Sequence, residues 1–370
     1  MRALVLAAGL GTRLRPLSDV RAKPAIPVAG EPMIRRIVAW LVGHGVAEIV
    51  VNLHALPHTV TAVLGDGSDL SAHVRYSWEQ PHVLGSAGGP RHALSMLGDD
   101  PFLLVNGDTL TDLDIAPLVR AHHDGAALVT LALVANREPH RYGGVRTNAQ
   151  HAVTGFVPRG AAAEGSGHFV GVQVVSPEVF RSLPDGRPRN SIGDVYDTLL
   201  AARPGAIAGY VTEHTAFWDI GTPSDYVRTT AACLRAEHAG GRADQTRAQT
   251  AQAGEAGRAG WAGQQGRTAP AGQAGPAGWV DGPDRQVAPE ARQVWPHIAI
   301  VAGRHVRLAA TADVRDSILW DDVTIGDGCR VHRCVVTDRV RVPPHAEYHD
   351  AILVAAPDGS PLAFPLEMRP

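Results

Sequence analysis

The chain has 370 residues, 45% of them hydrophobic, and a formal net charge of −3. That length allows two domains and a linker, while the near-neutral charge offers no concentrated basic surface, so neither nucleic acid nor a membrane is expected as a partner. Three cysteines make no disulfide framework, no run approaches the ~20 apolar residues of a spanning helix, and the apolar part of MRALVLAAGLG is too short for a signal peptide; together these point to a cytoplasmic protein.

Residues 1–233 read as an α/β region. Apolar runs suited to buried parallel strands recur at 3–8, 48–53, 102–106 and 127–134. A helical pattern over 32–44 places Ile34, Ile37, Val38 and Leu41 on one face. Alternation of strand and helix predicts a doubly wound, mainly parallel sheet with ligands at the C-terminal strand ends. NGD at 106–108 and WDIG at 218–221 fall where strands should stop.

Residues 234–295 are Gly-, Ala- and Gln-rich with hardly any branched aliphatics, which predicts a flexible linker. Order returns after it. DSILWDDVTIGDGCRVH (316–332) aligns with RCVVTDRVRVPPHAEYH (333–349), and DAIL (350–353) begins a third copy. Ile318, Val323, Cys329, Val335, Val340 and Ala346 recur about every six residues. Three such steps per turn predict a short left-handed parallel β-helix over 296–355, with a tail at 356–370. So small a coil should lean on a partner, and a homo-oligomer formed through these repeats is expected. Cys329 and Cys334 read as packing residues of the coil, and Trp40 as core.

The first strand runs into Ala8-Gly9-Leu10-Gly11-Thr12-Arg13, and glycines after a buried strand let the backbone approach a ligand. The Rossmann fingerprint fails, because Leu14 stands where a third glycine is needed and the next strand, VVNLH, lacks the acidic ribose partner. No GK[ST] follows, so the turn is not a P-loop. Of 34 Lys and Arg residues only Lys23 is a lysine, a compact point charge ten residues after Arg13. The 18 histidines show no zinc-ligand spacing. Asp108, just past an apolar strand, is well placed for a hard cation.

The string LAAGLGTRLRPLSDVRAKPAIPVAGEPMI (6–34) resembles the signature of sugar-1-phosphate nucleotidyltransferases. The resemblance implies that Ala8, Gly9, Gly11, Thr12, Arg13 and Lys23 hold a nucleoside triphosphate, and that Asp108 and Asp219 bind Mg²⁺. Arg13, Lys23, Asp108 and Asp219 would then be the catalytic set. Glu79-Gln80 with Gly85 and Ser86 resembles the loop that reads the base, leaving open which of Glu79 and Gln80 touches it. Gly143, Arg159 and Gly171 fall on the sugar-phosphate side. There the chain departs from the family pattern, with Pro158-Arg159-Gly160 where Glu-Lys-Pro is common and Phe169 where asparagine is common. The implied reaction joins an NTP to a sugar 1-phosphate and releases pyrophosphate, with a mannose-1-phosphate guanylyltransferase type favoured. Uridylyl or thymidylyl transfer to another sugar 1-phosphate is the alternative. A regulatory subunit that binds NDP-sugar without turnover is a reading of a different class, opposed by the presence of all four charged residues. Acyl transfer is rejected, since two repeats are too few for it.

Overall fold

The computed structural model describes residues 1–213, 215–236 and 300–368. Most of the linker expected at 234–295, the start of the coil at 296–299 and the last two residues of the tail lie outside the described residues. The chain divides into two compact units, Met1–Pro27 with Glu31–Thr222, and Val28–Gly30 with Pro223–Pro370.

The first unit is built on a nine-stranded mixed sheet. Its elements in chain order begin with β1 (Arg2–Leu6), α1 (Met33–Gly43), β2 (Glu48–Leu53), α2 (Pro57–Leu64) and β3 (His73–Trp78). Next come α3 (Gly85–Leu97), β4 (Phe102–Asn106), β5 (Thr109–Thr111), α4 (Ile115–Asp124) and β6 (Val129–Ala135). The unit closes with β7 (Gly144–Thr147), β8 (Val153–Val157), β9 (Gly167–Val175), α5 (Tyr196–Ala202), β10 (Ile207–Val211) and β11 (Phe217–Asp219). The strands at 48–53 and 102–106 have the predicted bounds, and the helix differs by one residue at each end. Met33, Ile34, Ile37, Val38 and Leu41 form its buried face.

The main path through the sheet is β8-β7-β9-β4-β1-β2-β3, with β6 beside β9 and β10 beside β6. Strands β3, β2, β1 and β4 run parallel, whereas β9 is antiparallel to both β4 and β6. The chain leaves β1 toward β2 on one side and later returns as β4 on the other. In open α/β sheets ligands bind outside the strand ends at such a reversal. Register brings those ends level, because Leu6 pairs with both Asn52 and Asn106, and Leu53 pairs with Trp78. Beneath them Leu4, Val50, Leu104, Phe102 and Leu131 pack with Ala87, Ala93 and Leu97 of α3 in one buried core.

In the second unit, residues 223–236 are helical and residues 300–355 form the expected parallel coil. Three parallel ladders pair residues 17 apart, as in Ile318↔Val335↔Ile352, Thr324↔Arg341 and Arg330↔Glu347. The corners repeat with the same spacing. His305, Asp322 and Arg339 share left-handed backbone at φ 57°, 60° and 61°.

One detail of the predicted interior is corrected. The coil's core holds Leu319, Val336 and Leu353 together with Val323, Cys329, Cys334 and Val340. Ile318 and Val335 are equally buried but lie outside that cluster. Side chains alternate across a strand, so the neighbours of interior residues point to the other face. Trp320 shares that second face and is fully buried; its indole N–H donates to the Tyr226 hydroxyl at 2.9 Å. The helix over 223–236 thus covers the outside of one wall of the coil, and two apolar faces of a single ladder defeat a simple count by sixes.

Candidate functional site at the strand ends

A cavity of ≈ 240 Å³ opens at the reversal between β1 and β4. One wall is the chain just past β1, Ala7, Ala8 and Gly9, and another is the Asn106 and Asp108 end of β4. Lys23, Asn52, Glu79, Gly85 and Ser86 line the space between those walls. Seven of the residues expected from the sequence therefore meet in one place: Ala8, Gly9, Lys23, Glu79, Gly85, Ser86 and Asp108.

The glycine turn has a local cause. Gly11 sits at φ 63°, and a Cβ there would come within 3.0 Å of the Ser18 Cβ. Its carbonyl accepts the Leu14 N–H at 2.9 Å and the Ser18 hydroxyl at 2.8 Å, closing the loop on itself. Thr12 and Arg13 lie in the following short turn, Thr12–Leu14, and both are exposed; neither they nor Gly11 line the cavity. Lys23 begins another such turn, Lys23–Ala25, and the N–H of Ala22 before it is held by the Thr59 hydroxyl of α2 at 3.0 Å. From there the ammonium reaches Asp108 Oδ2 at 2.7 Å. The lysine side chain is 11% exposed and the aspartate 38%, so the pair sits at the cavity mouth.

Asp219 is not part of that lining, yet the fold brings it alongside. β11 pairs antiparallel with β5, setting Asp219 opposite Thr109, the residue after Asp108. The Ile220 N–H donates to the Asp108 carbonyl at 3.4 Å. Phe217, at the other end of β11, stacks on His168 with ring centroids 4.6 Å apart, and His168 meets Tyr142 at 4.3 Å. Burial pushes the His168 imidazole below its ordinary range.

On the base side the two residues left open differ in their surroundings. Glu79 is completely buried, and both its carboxylate oxygens accept hydrogen bonds from the protein. Burial pushes its carboxyl above the usual range, against the opposing pull of the Leu84 N–H and the Asn52 amide. Gln80 is exposed. The Ser86 hydroxyl is engaged by the Ser191 N–H at 2.8 Å and the Ser191 hydroxyl at 2.9 Å. Gly85 is at the first turn of α3.

The sugar-side residues lie outside the cavity lining. Arg159 and Gly143 are exposed on the loops around β7 and β8. Gly171 occupies the irregular stretch of β9 and packs on Asn106, whose amide nitrogen a Cβ would meet at 2.9 Å. Sequence reasoning missed Asn52 and Asn106 as lining residues. The one available signal was an amide side chain near the end of each apolar strand. Trp40, read as core, is half-buried with its N–H on the Leu113 carbonyl at 3.1 Å.

A glycine turn, an ammonium beside one carboxylate and a second aspartate on the neighbouring strand, at the reversal of an α/β sheet, suit the handling of phosphates. Comparison with known families agrees: residues 2–236 match the nucleotidyl transferase family, and the chain belongs to it. Residues 299–348 match the GlmU-like C-terminal hexapeptide family. A mannose-1-phosphate guanylyltransferase of Mycobacterium tuberculosis is 33% identical over 234 residues, 63% of this chain and 64% of that protein. An N-acetylmuramate alpha-1-phosphate uridylyltransferase of Neisseria meningitidis serogroup B is 35% identical over 226 residues, 60% of this chain and 94% of that protein. The chain thus spans just under two thirds of the mycobacterial relative. Among solved structures, HddC from Yersinia pseudotuberculosis superimposes with a TM-score of 0.54 at 24% identity, over 62% of this chain and 97% of that one, which bears on the fold alone.

Proposed function

We propose that this chain is a Mg²⁺-dependent sugar-1-phosphate nucleotidyltransferase that makes an NDP-sugar and pyrophosphate from an NTP and a sugar 1-phosphate. The observation that carries the reading is the Lys23–Asp108 pair at 2.7 Å on the cavity, with Asp219 opposite Thr109 on the neighbouring strand. In the reaction a phosphate oxygen of the sugar attacks the α-phosphorus. A new P–O bond forms while the bond to the bridging β-phosphate oxygen breaks, and pyrophosphate leaves with that electron pair. The nucleophile is already an anion, so no general base is required. The difficulty is the approach of two polyanions, which fixed positive charge and positioning relieve. Lys23, already held by Asp108, offers its charge between the reacting phosphates. Ala8 and Gly9 on the cavity wall, with Gly11 and Thr12 just beyond the lining, are assigned to the triphosphate, and Arg13, also beyond it, to the leaving pyrophosphate. The Gly85–Ser86 end of α3, with the exposed Gln80, is assigned to the base, and Gly143, Arg159 and Gly171, outside the lining, to the sugar phosphate.

The donor set fits magnesium. Among the described residues no group of three or more His, Cys, Asp or Glu side chains could hold a metal by itself. Mg²⁺ is commonly bound by one or two carboxylates plus substrate phosphates and water. Asp108 and Asp219 would supply those carboxylates, and the ion would neutralise phosphate oxygens.

Mannose 1-phosphate with GTP is the favoured pair, on the strength of the similarity to the mycobacterial relative. The similarity to a uridylyltransferase keeps UTP with another sugar 1-phosphate as the second reading. Pyrophosphate release measured for each NTP with each sugar 1-phosphate separates them, and silence for every pair overturns the enzyme reading in favour of a binding subunit. No helix among the described residues is long and apolar enough to cross a membrane, in keeping with a cytoplasmic site of action. The hexapeptide coil supports self-association, which light scattering on the full chain would show as a mass above that of one protomer.

A further inference from the structure

The cavity lining includes a buried hydrogen-bond relay that the chemistry above does not use. The ladder of β1 ends at Leu6, whose carbonyl takes the Gly107 N–H at 2.9 Å. The next N–H, that of Ala7, donates to Asn52 Oδ1 at 2.6 Å. Asn52 Nδ2 in turn donates to Glu79 Oε1 at 2.6 Å, and the Leu84 N–H donates to Glu79 Oε2 at 2.6 Å. Asn52 is 2% exposed and Glu79 0%. Gly89 of α3 makes room for the pair, because a Cβ there would come within 2.5 Å of Glu79 Oε1 and 2.8 Å of Asn52 Nδ2. The Glu79 backbone is held as well, its carbonyl 2.8 Å from His54 Nδ1.

The order of donors leaves little freedom. Both ends of the relay are backbone N–H groups, which cannot be reversed. The Ala7 N–H therefore requires the oxygen of Asn52, and this turns the amide NH₂ toward residue 79. Residue 79 must then accept on both atoms, once from Asn52 and once from Leu84. A carboxylate does that with both oxygens, whereas an amide offers one acceptor only. Glutamine at 79 would set donor against donor at one of the three links. Burying an anion is costly, so its presence here calls for a role that an amide cannot fill.

We infer that Asn52 and Glu79 are positioning residues that lock the two walls of the nucleotide cavity together, and that the lock needs one carboxylate and one amide in this pair of positions. Ala7 leads into the glycine turn and Leu84 into the Gly85–Ser86 end of α3, so one relay sets the spacing between the phosphate wall and the base wall. The inference rests on reading the cavity as the nucleotide site, but its chemical rule is testable without substrate. The order can be inverted. With aspartate at 52 and glutamine at 79, the Ala7 N–H donates to Asp, the glutamine NH₂ donates to the other Asp oxygen, and the Leu84 N–H donates to the glutamine oxygen. Every donor is again satisfied.

The test compares wild type, Glu79→Gln, Asn52→Asp and the double exchange. Amide hydrogen exchange at residues 7 and 84 reads the lock in the free protein; KM for the NTP and kcat read its consequence. Each single exchange is expected to lose protection at both amides and to raise KM by about tenfold or more, the scale of one buried donor left unmatched, with a smaller change in kcat. The double exchange is expected to recover protection and to return KM to within about threefold of wild type, the non-additivity of a directly coupled pair. Singles with wild-type protection and KM, or a double variant no better than the worse single, overturn the inference. If Glu79→Gln does not fold, the double variant decides alone: folded and protected upholds the lock, unfolded refutes it. Wild type inactive with every substrate pair would instead refute the assigned reaction, while the exchange measurement would still judge the relay.

Discussion

The coil of the second unit and the cavity of the first are built on opposite rules. In the coil every position has a counterpart 17 residues away, and the same bonds recur, as Arg304 with Asp321, Arg330 with Glu347 and Arg333 with Asp350. In the cavity nothing repeats. Lys23, Asn52, Glu79 and Asp108 arrive from four separate places in the chain and form two unlike pairs, Lys23 with Asp108 and Asn52 with Glu79. Stability in the coil is therefore spread over similar contacts, whereas function in the cavity is concentrated in a few unlike ones.

Substitutions should expose that contrast. The largest effect is expected at Lys23. Lys23→Ala removes the ammonium beside Asp108 and should lower kcat by about 10²–10³-fold, roughly 3–4 kcal/mol of transition-state stabilisation. Circular dichroism should stay unchanged, because Asp108 is exposed enough to be solvated. Pyrophosphate release near the wild-type rate would remove Lys23 from the chemistry. In the coil, Leu353→Ala should do the reverse. It empties a fully buried interior position and should cost about 2–4 kcal/mol in denaturant unfolding, with kcat at low temperature untouched.

Acidification tests the cavity through Glu79, whose charge faces Asn52, the Leu84 N–H, and the more distant His54 and His92. Its pKa is raised in the folded state, so its contribution to stability is full below the ordinary glutamate range and declines as pH rises through the folded value. Acid should thus weaken NTP binding, by protonating the relay, at a pH where this group does not lower the melting temperature. Calorimetric titration of the NTP across the acid range checks this, and Glu79→Gln should flatten the dependence. A melting temperature that falls in step with affinity would assign the acid limb to unfolding. The smallest effect is expected at Arg333→Ala, which breaks one of the repeated pairs on the coil surface. About 0–1 kcal/mol should be lost, and a larger value would show that the ladder acts as a network.

Much of the fold could be read in advance for the same reason that the coil is repetitive. Strands 48–53 and 102–106 are short apolar runs between breakers, and the buried face of α1 follows a period of 3.6. The site was legible as far as its motif extends: Gly9, Lys23 and Asp108 share one cavity. The internal partners of Glu79 were not legible, because a carboxylate beside a glutamine before a glycine-rich loop looks the same whether it faces a ligand or a buried amide. The interior of the coil was half legible, since Ile318 and Leu319 are equally apolar and both are buried, on opposite faces of the ladder.

Properties set by neighbours along the chain, such as turns, strand and helix periods, the 17-residue repeat and the single lysine after the glycine turn, could be stated from the amino acids alone. Properties set by register between distant strands could not. Leu6 meeting both Asn52 and Asn106, Asp219 drawn beside Thr109, and Ala7 joined through two side chains to Leu84 each depend on where separate strands end in space. The physical reason is that spacing along the chain encodes backbone conformation, whereas the partner of a polar group is chosen by packing among segments tens of residues apart.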